Sequence, residues 1–106
     1  MNKIINKTPH KVVVLNKDNE VVQEFETEGQ IRLSEKRINR DAINGIPIKE
    51  KHYGSSELPP IKEDTYYIVS SLIALSYPDR ADFLVPDQVV RDDKGNIIGC
   101  RALSFI

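Results

Sequence analysis

Tryptophan is absent, and cysteine and methionine occur once each. A single thiol, Cys100, excludes a disulfide framework within the chain and any zinc site built from several thiolates. Cys100 lies in the alternating run NIIGCRALSF, which predicts a buried strand thiol. No apolar run approaches the roughly 20 residues of a membrane-spanning helix. The opening segment MNKIINKTPH lacks the apolar core of a signal peptide. No membrane contact is expected, and the expected location is the cytoplasm, whether of its own cell or of one in which it acts. Charge of one sign is also scarce: the net charge is −1. General attraction to a phosphate backbone is therefore not built in, and no basic recognition helix is evident, so nucleic acid is not an expected partner. No Gly-rich phosphate loop, nucleophile elbow or zinc-spaced histidine pair occurs, since His10 and His52 are far apart in the chain. Asp87, Asp92 and Asp93 lack the fixed loop pattern that a hard cation needs. No metal and no cofactor is expected.

What remains is a chain of 106 residues, the size of one domain spanning 1–106. The charge is mildly uneven: residues 1–53 carry +2 and residues 54–106 carry −3.

Lys11 to Leu15 is β-branched and apolar. It is followed by the turn formers Asn16 to Asn19 and by an alternating run from Val21, which together predict a hairpin. Ile31 to Leu33 reads as a short strand. SEKRINRDAIN, residues 34–44, suits an exposed loop or a short helix. Ile46 to Ile48, with its internal proline, suits an edge strand. Tyr53 to Ser56 reads as a turn. Thr65 to Val69 predicts a central strand. Ser70 or Ser71 caps about two turns of buried helix that stop near Pro78. Phe83 to Val85 is a short strand, and residues 88–91 and 96–105 pair across Asp92 to Gly95. The predicted class is α+β: a small, mostly antiparallel sheet or partly closed β-barrel, with one short helix after the Tyr-Ile-Val-Ser strand.

Four groups of candidate functional residues stand out. Thr8 and His10 flank Pro9, and His10 is a group able to bind an anion or move a proton near neutral pH. The alternative is that both fasten a crossover between strands. Arg80 is a bidentate anion grip, or a clamp on Asp82. Ser70 and Ser71 bring hydroxyls and helix-start amides to an anion, or only cap the helix. Tyr53 and Tyr66 are aromatic faces for stacking a base, or packing residues. Adjacent Tyr66 and Tyr67 must face opposite sides of their strand.

Six stretches form a signature: Asn6 to His10, Tyr53-Gly54 with Leu58-Pro59, Tyr67 to Ser70, Arg80 to Asp82, Val85 to Asp87, and Val90 to Leu103. Through these the chain resembles a family of small phage- and prophage-type proteins along nearly its whole length. The resemblance points to a family and not to an activity. Phage proteins of similar size and make-up include sponges that sequester nucleotide-derived immune signals, an analogy of context.

The expected function is therefore non-catalytic binding of a small anionic, nucleotide-like ligand. The site set is Thr8, His10, Tyr53, Tyr66, Ser70, Ser71, Arg80 and Asp82, with no catalytic residue assigned. A homo-oligomer is expected, because small domains often build pockets between protomers. Two other readings compete. One is a protein-interaction module acting on a host protein. The other is a small nucleotide-cleaving enzyme, which requires His10 and Arg80 to converge on one cleft.

Overall fold

The computed structural model describes residues 2–55 and 57–106. Strands β1 (Lys3–Asn6), β2 (Val12–Leu15) and β3 (Val21–Phe25) are followed by the long pair β4 (Ser34–Ile43) and β5 (Ile46–Gly54). Strand β6 (Thr65–Ile68), helix α1 (Ser71–Ser76), β7 (Phe83–Arg91) and β8 (Ile97–Ser104) complete the chain. Six strands form one sheet in the order β1-β6-β7-β8-β2-β3, and β4 and β5 form a separate two-stranded sheet.

The main sheet is mixed. The pairs β1–β6, β6–β7 and β2–β8 are parallel, while β2–β3 and β7–β8 are antiparallel. This corrects the mostly antiparallel expectation. Local hairpin signals identify only neighbours joined by a short turn, whereas each parallel pair here is joined by a longer crossover, through α1 in the case of β6 and β7. The sheet is not closed. Its edge strands approach each other at one isolated bridge, Asn6 to Thr27.

Strand alternation places apolar residues on both sheet faces. Tyr67, Val69, Phe83 and Val85 pack with Ile73 and Ala74 of α1 and with Ile31. On the other face Ile68 packs with Val12, Phe25 and Cys100. β6 is thus apolar on both sides, and Ile68 and Val69 are wholly buried. The alternation prediction for the tyrosines holds: Tyr67 is core, and Tyr66, half-buried, faces the other way.

The β2–β3 and β7–β8 hairpins form as expected, and Asp92 accepts the turn amides of Lys94 and Asn96. Four local expectations do not hold. Residues 31–33 form no strand. Residues 34–43 are neither loop nor helix but the ten-residue strand β4, whose pairing with β5 compensates for its few apolar anchors. Asn44 and Gly45, both at positive φ, turn that hairpin, and an Asn-Gly pair suits such a turn. Tyr53 and Gly54 belong to β5 and not to a turn, and Ser56 lies outside the described residues. Pro86 does not end a strand but sits within β7.

Asn6, 1% exposed, fastens the turn after β1. Its Nδ2 donates to the carbonyls of His10 (2.8 Å) and Phe25 (2.9 Å). Its Oδ1 accepts from the Thr8 amide at 2.9 Å and lies 2.6 Å from the Thr8 hydroxyl. Replacement by alanine removes the side-chain donor from the buried Phe25 carbonyl and from the His10 carbonyl, and takes the acceptor from the Thr8 amide. Asn6→Ala is expected to lose about 2–4 kcal/mol, as each orphaned group costs about 1–3 kcal/mol. Urea denaturation measures this, and a loss below about 0.5 kcal/mol would show that water replaces the amide.

Candidate functional site

The turn between β1 and β2 answers the first question the sequence raises. Thr8 contacts Asn6 Oδ1, and its hydroxyl lies 2.9 Å from the His10 carbonyl. Thr27 donates its hydroxyl to the Thr8 carbonyl. His10 is exposed, and its recorded bonds run through its carbonyl rather than its ring. Thr8 therefore fastens the crossover, and the residue that organises it is Asn6. Asn6 was not a candidate because a short polar residue before Thr-Pro reads locally as a turn former.

Ser70 caps α1: its Oγ accepts from the Ile73 amide at 3.3 Å. Ser71 opens the helix and is exposed. A helix of six residues presents little aligned dipole, so the two serines are accounted for by capping. Tyr53 pairs with Glu35 across the β4–β5 sheet, away from the other candidates along the chain.

Arg80 and Asp82 form the most developed constellation. Asp82 is buried, and the guanidinium grips it bidentately, Nε to Oδ1 and Nη2 to Oδ2, both at 2.8 Å. Nη2 also donates to the Pro59 carbonyl at 2.9 Å, and the guanidinium carbon stands 4.3 Å from the centre of the Phe83 ring. The carboxylate holds the Arg80 pKa above its ordinary value, against the opposing effect of burial. Arg80 thereby ties the loop after α1 to the Pro59-Pro60 connector, while Tyr67 donates its hydroxyl to the Pro60 carbonyl.

A cleft of about 400 Å³ lies beside this clamp, lined by Ala74, Pro78, Arg80, Phe83, Phe105 and Ile106 among others. Phe105 is largely exposed and leans on Tyr66, with ring centres 6.1 Å apart. The cleft thus joins one cation to aromatic and apolar walls. Of the sequence candidates Arg80 lines the cleft; Asp82 grips Arg80 but is not itself a lining residue, and Tyr66 is connected to the cleft through its contact with Phe105. Thr8, His10, Tyr53, Ser70 and Ser71 are not among the lining residues. Phe83, Phe105 and Pro78 were not singled out from the sequence, where apolar residues beside a strand read as core. The signal for Phe105 is its place just beyond the end of β8, where no partner strand covers it. Among the described residues, no three His, Cys, Asp or Glu side chains gather as a metal site would need.

Comparison with protein-family models, curated proteins and solved structures finds no match to this chain. What the site does must be argued from its own geometry.

Removing Arg80 leaves a buried carboxylate unpaired. Arg80→Ala is expected to destabilise the fold by about 3 kcal/mol, and Asp82→Asn by less, with strong coupling in the double mutant. Additive losses in denaturant melts would contradict the clamp.

Cys100 is 2% exposed, its Sγ 3.6 Å from the Val13 carbonyl, and burial pushes its thiol pKa up. Alkylation of the folded chain at neutral pH is expected to run at least tenfold slower than in denaturant. Equal rates would place the thiol at the surface.

Proposed function

We propose that this protein is a non-catalytic binder of a small anionic ligand that carries an aromatic ring, a nucleotide-like molecule. The cleft beside Arg80 is the site. The observation that carries this reading is the meeting of one guanidinium with exposed Phe105 and apolar walls in a space of about 400 Å³, within the usual range for small-molecule sites.

The roles follow from the geometry. Arg80 Nε and Nη2 are committed to Asp82 and Pro59. Nη1 makes no hydrogen bond among the described residues, so it is the donor left for an anionic group. Because Asp82 offsets most of the Arg80 charge, affinity rests on stacking and shape more than on Coulomb attraction. Phe105, supported by Tyr66, supplies the face on which a base stacks. In a phage-encoded protein such binding without turnover serves as a counter-defence sponge that holds a nucleotide-derived immune signal. The cleaving-enzyme reading needs His10 beside Arg80, and His10 does not line this cleft.

A second reading has its own support. Leu72 and Leu75 are exposed on the helix whose Ala74 lines the cleft, and Phe105 and Ile106 are exposed too. An apolar surface of this kind suits a protein partner, which makes a host-protein inhibitor the alternative.

Native mass spectrometry of the freshly purified protein, followed by calorimetric titration with the released compound, tests the proposal. A nucleotide-sized mass released intact on denaturation is expected. Phe105→Ser should weaken its binding at least tenfold with stability unchanged within about 0.5 kcal/mol, as for other surface substitutions. A protein with no retained mass, but with a stoichiometric host protein held through Leu72 and Leu75, would favour the second reading.

A further inference from the structure

The chain is more extended than a compact domain of its length. Such a domain has a radius of gyration of about 13 Å, whereas this one has 17.1 Å. Strands β4 and β5 pair only with each other, over ten and nine residues. Along this arm Ile38, Ile48, Glu50 and Gly54 are half-buried and the rest is exposed. A two-stranded hairpin alone in water is marginal at best. Ion pairs such as Arg40 with Glu50 support it, but exposed pairs contribute little.

The arm turns at Asn44 and Gly45, between the paired residues Ile43 and Ile46. Both turn residues are exposed and at positive φ, 51° and 76°. A Cβ built on Gly45 would meet no atom within 4 Å, so the tip stands in open solvent. This is the one Asn-Gly step in the chain. The other six of the seven asparagines precede lysine, glutamate, arginine or isoleucine, whose side chains shield the following amide. Asn6, Asn16, Asn19, Asn39 and Asn96 also hold side-chain hydrogen bonds. The Asn44 carboxamide and the Gly45 amide hold none among the described residues.

We propose that Asn44 is a site of spontaneous self-modification: its side chain is converted to aspartate and isoaspartate by attack of the exposed Gly45 amide. The Gly45 nitrogen, its proton taken up by water or hydroxide, adds to Asn44 Cγ. The bond from Cγ to Nδ2 breaks and ammonia leaves with a proton, closing a succinimide ring. Water then opens the ring. Opening at Cγ gives aspartate. Opening at the main-chain carbonyl gives isoaspartate, in which the chain runs through the former side chain. One water is consumed and one ammonia released, and nothing is oxidised or reduced.

The closed turn holds Asn44 in the left-handed region, and the Gly45 nitrogen reaches Cγ only after Asn44 rotates out of it. Opening of the tip therefore gates the reaction, and a marginal arm opens at little cost. The two products differ in consequence. Asp-Gly suits the same tight turn. Isoaspartate adds a main-chain atom between Ile43 and Ile46, so the turn no longer closes in register. The loss stays within the arm, because the main sheet shares no strand pairing with it. None of this rests on the ligand reading, since neither Asn44 nor Gly45 lines the cleft beside Arg80.

The test is peptide mapping of the full chain during incubation in warm, mildly alkaline buffer, with fragmentation that separates isoaspartate from aspartate. Asn44 is expected to convert at least tenfold faster than any other asparagine and to give both products. Hydrogen exchange then reads the consequence: isoaspartate at position 44 should remove amide protection along residues 34–54 and leave the main sheet protected. Asn44→Asp, which carries the new charge without the longer chain, should keep the arm as protected as in the wild type. A rate at Asn44 within tenfold of the others overturns the proposal, as does isoaspartate that leaves the arm protected or exposes the main sheet. If the wild-type arm already exchanges freely, the mapped rates alone decide.

Discussion

The buried Asn6 side chain is the constraint on which the rest of the structure depends. One amide group serves the carbonyls of His10 and Phe25, the Thr8 amide and the Thr8 hydroxyl. These groups belong to the end of β1, the turn after it and the end of β3. The two edges of an open sheet are thereby held at one corner without closing. A buried polar group this well satisfied specifies its surroundings more than it stabilises them, because any other arrangement leaves carbonyls without donors. The Thr-Pro-His segment that looks like a binding motif is the shell of this corner.

A second polar contact works the same way at the far end of β6. Arg80 binds Asp82 across two residues and Pro59 across twenty-one, so the loop after α1 and the Pro-Pro connector move as one. A free arginine would attract anions at a distance. This one is paired and partly buried, its guanidinium carbon 4.3 Å from the centre of the Phe83 ring. In the proposed binding role it would act as a fixed donor, and rigid donors lose little entropy on binding.

The body and the arm divide the physics of the chain. The body buries apolar residues on both faces of its sheet around Ile68 and Val69. The arm buries almost nothing. It carries the whole positive excess of the first half of the sequence. Its two strands pair only with each other, and most of their residues are exposed.

Much of the local structure was legible in the sequence. The Ser70 cap, the Asp92 turn, the opposition of Tyr66 and Tyr67 and the burial of Cys100 all follow from short-range chemistry. The Arg80–Asp82 clamp was legible as one of two alternatives, because the partners are two residues apart. Residues 34–43 misled because a charged strand lacks the alternation of a half-buried one; its pairing with β5, not its composition, makes it a strand. By itself the sequence determined turns, caps and which side chains alternate, since those depend on neighbours within about four residues. Only the tertiary structure decided that β1, β6 and β7 run parallel, that Asn6 rather than His10 governs its turn, and that Phe105 joins Arg80 in a cleft. The parallel pairings, the bond from Asn6 to the Phe25 carbonyl and the approach of Phe105 to Arg80 each join separate elements of the chain, which no local pattern encodes.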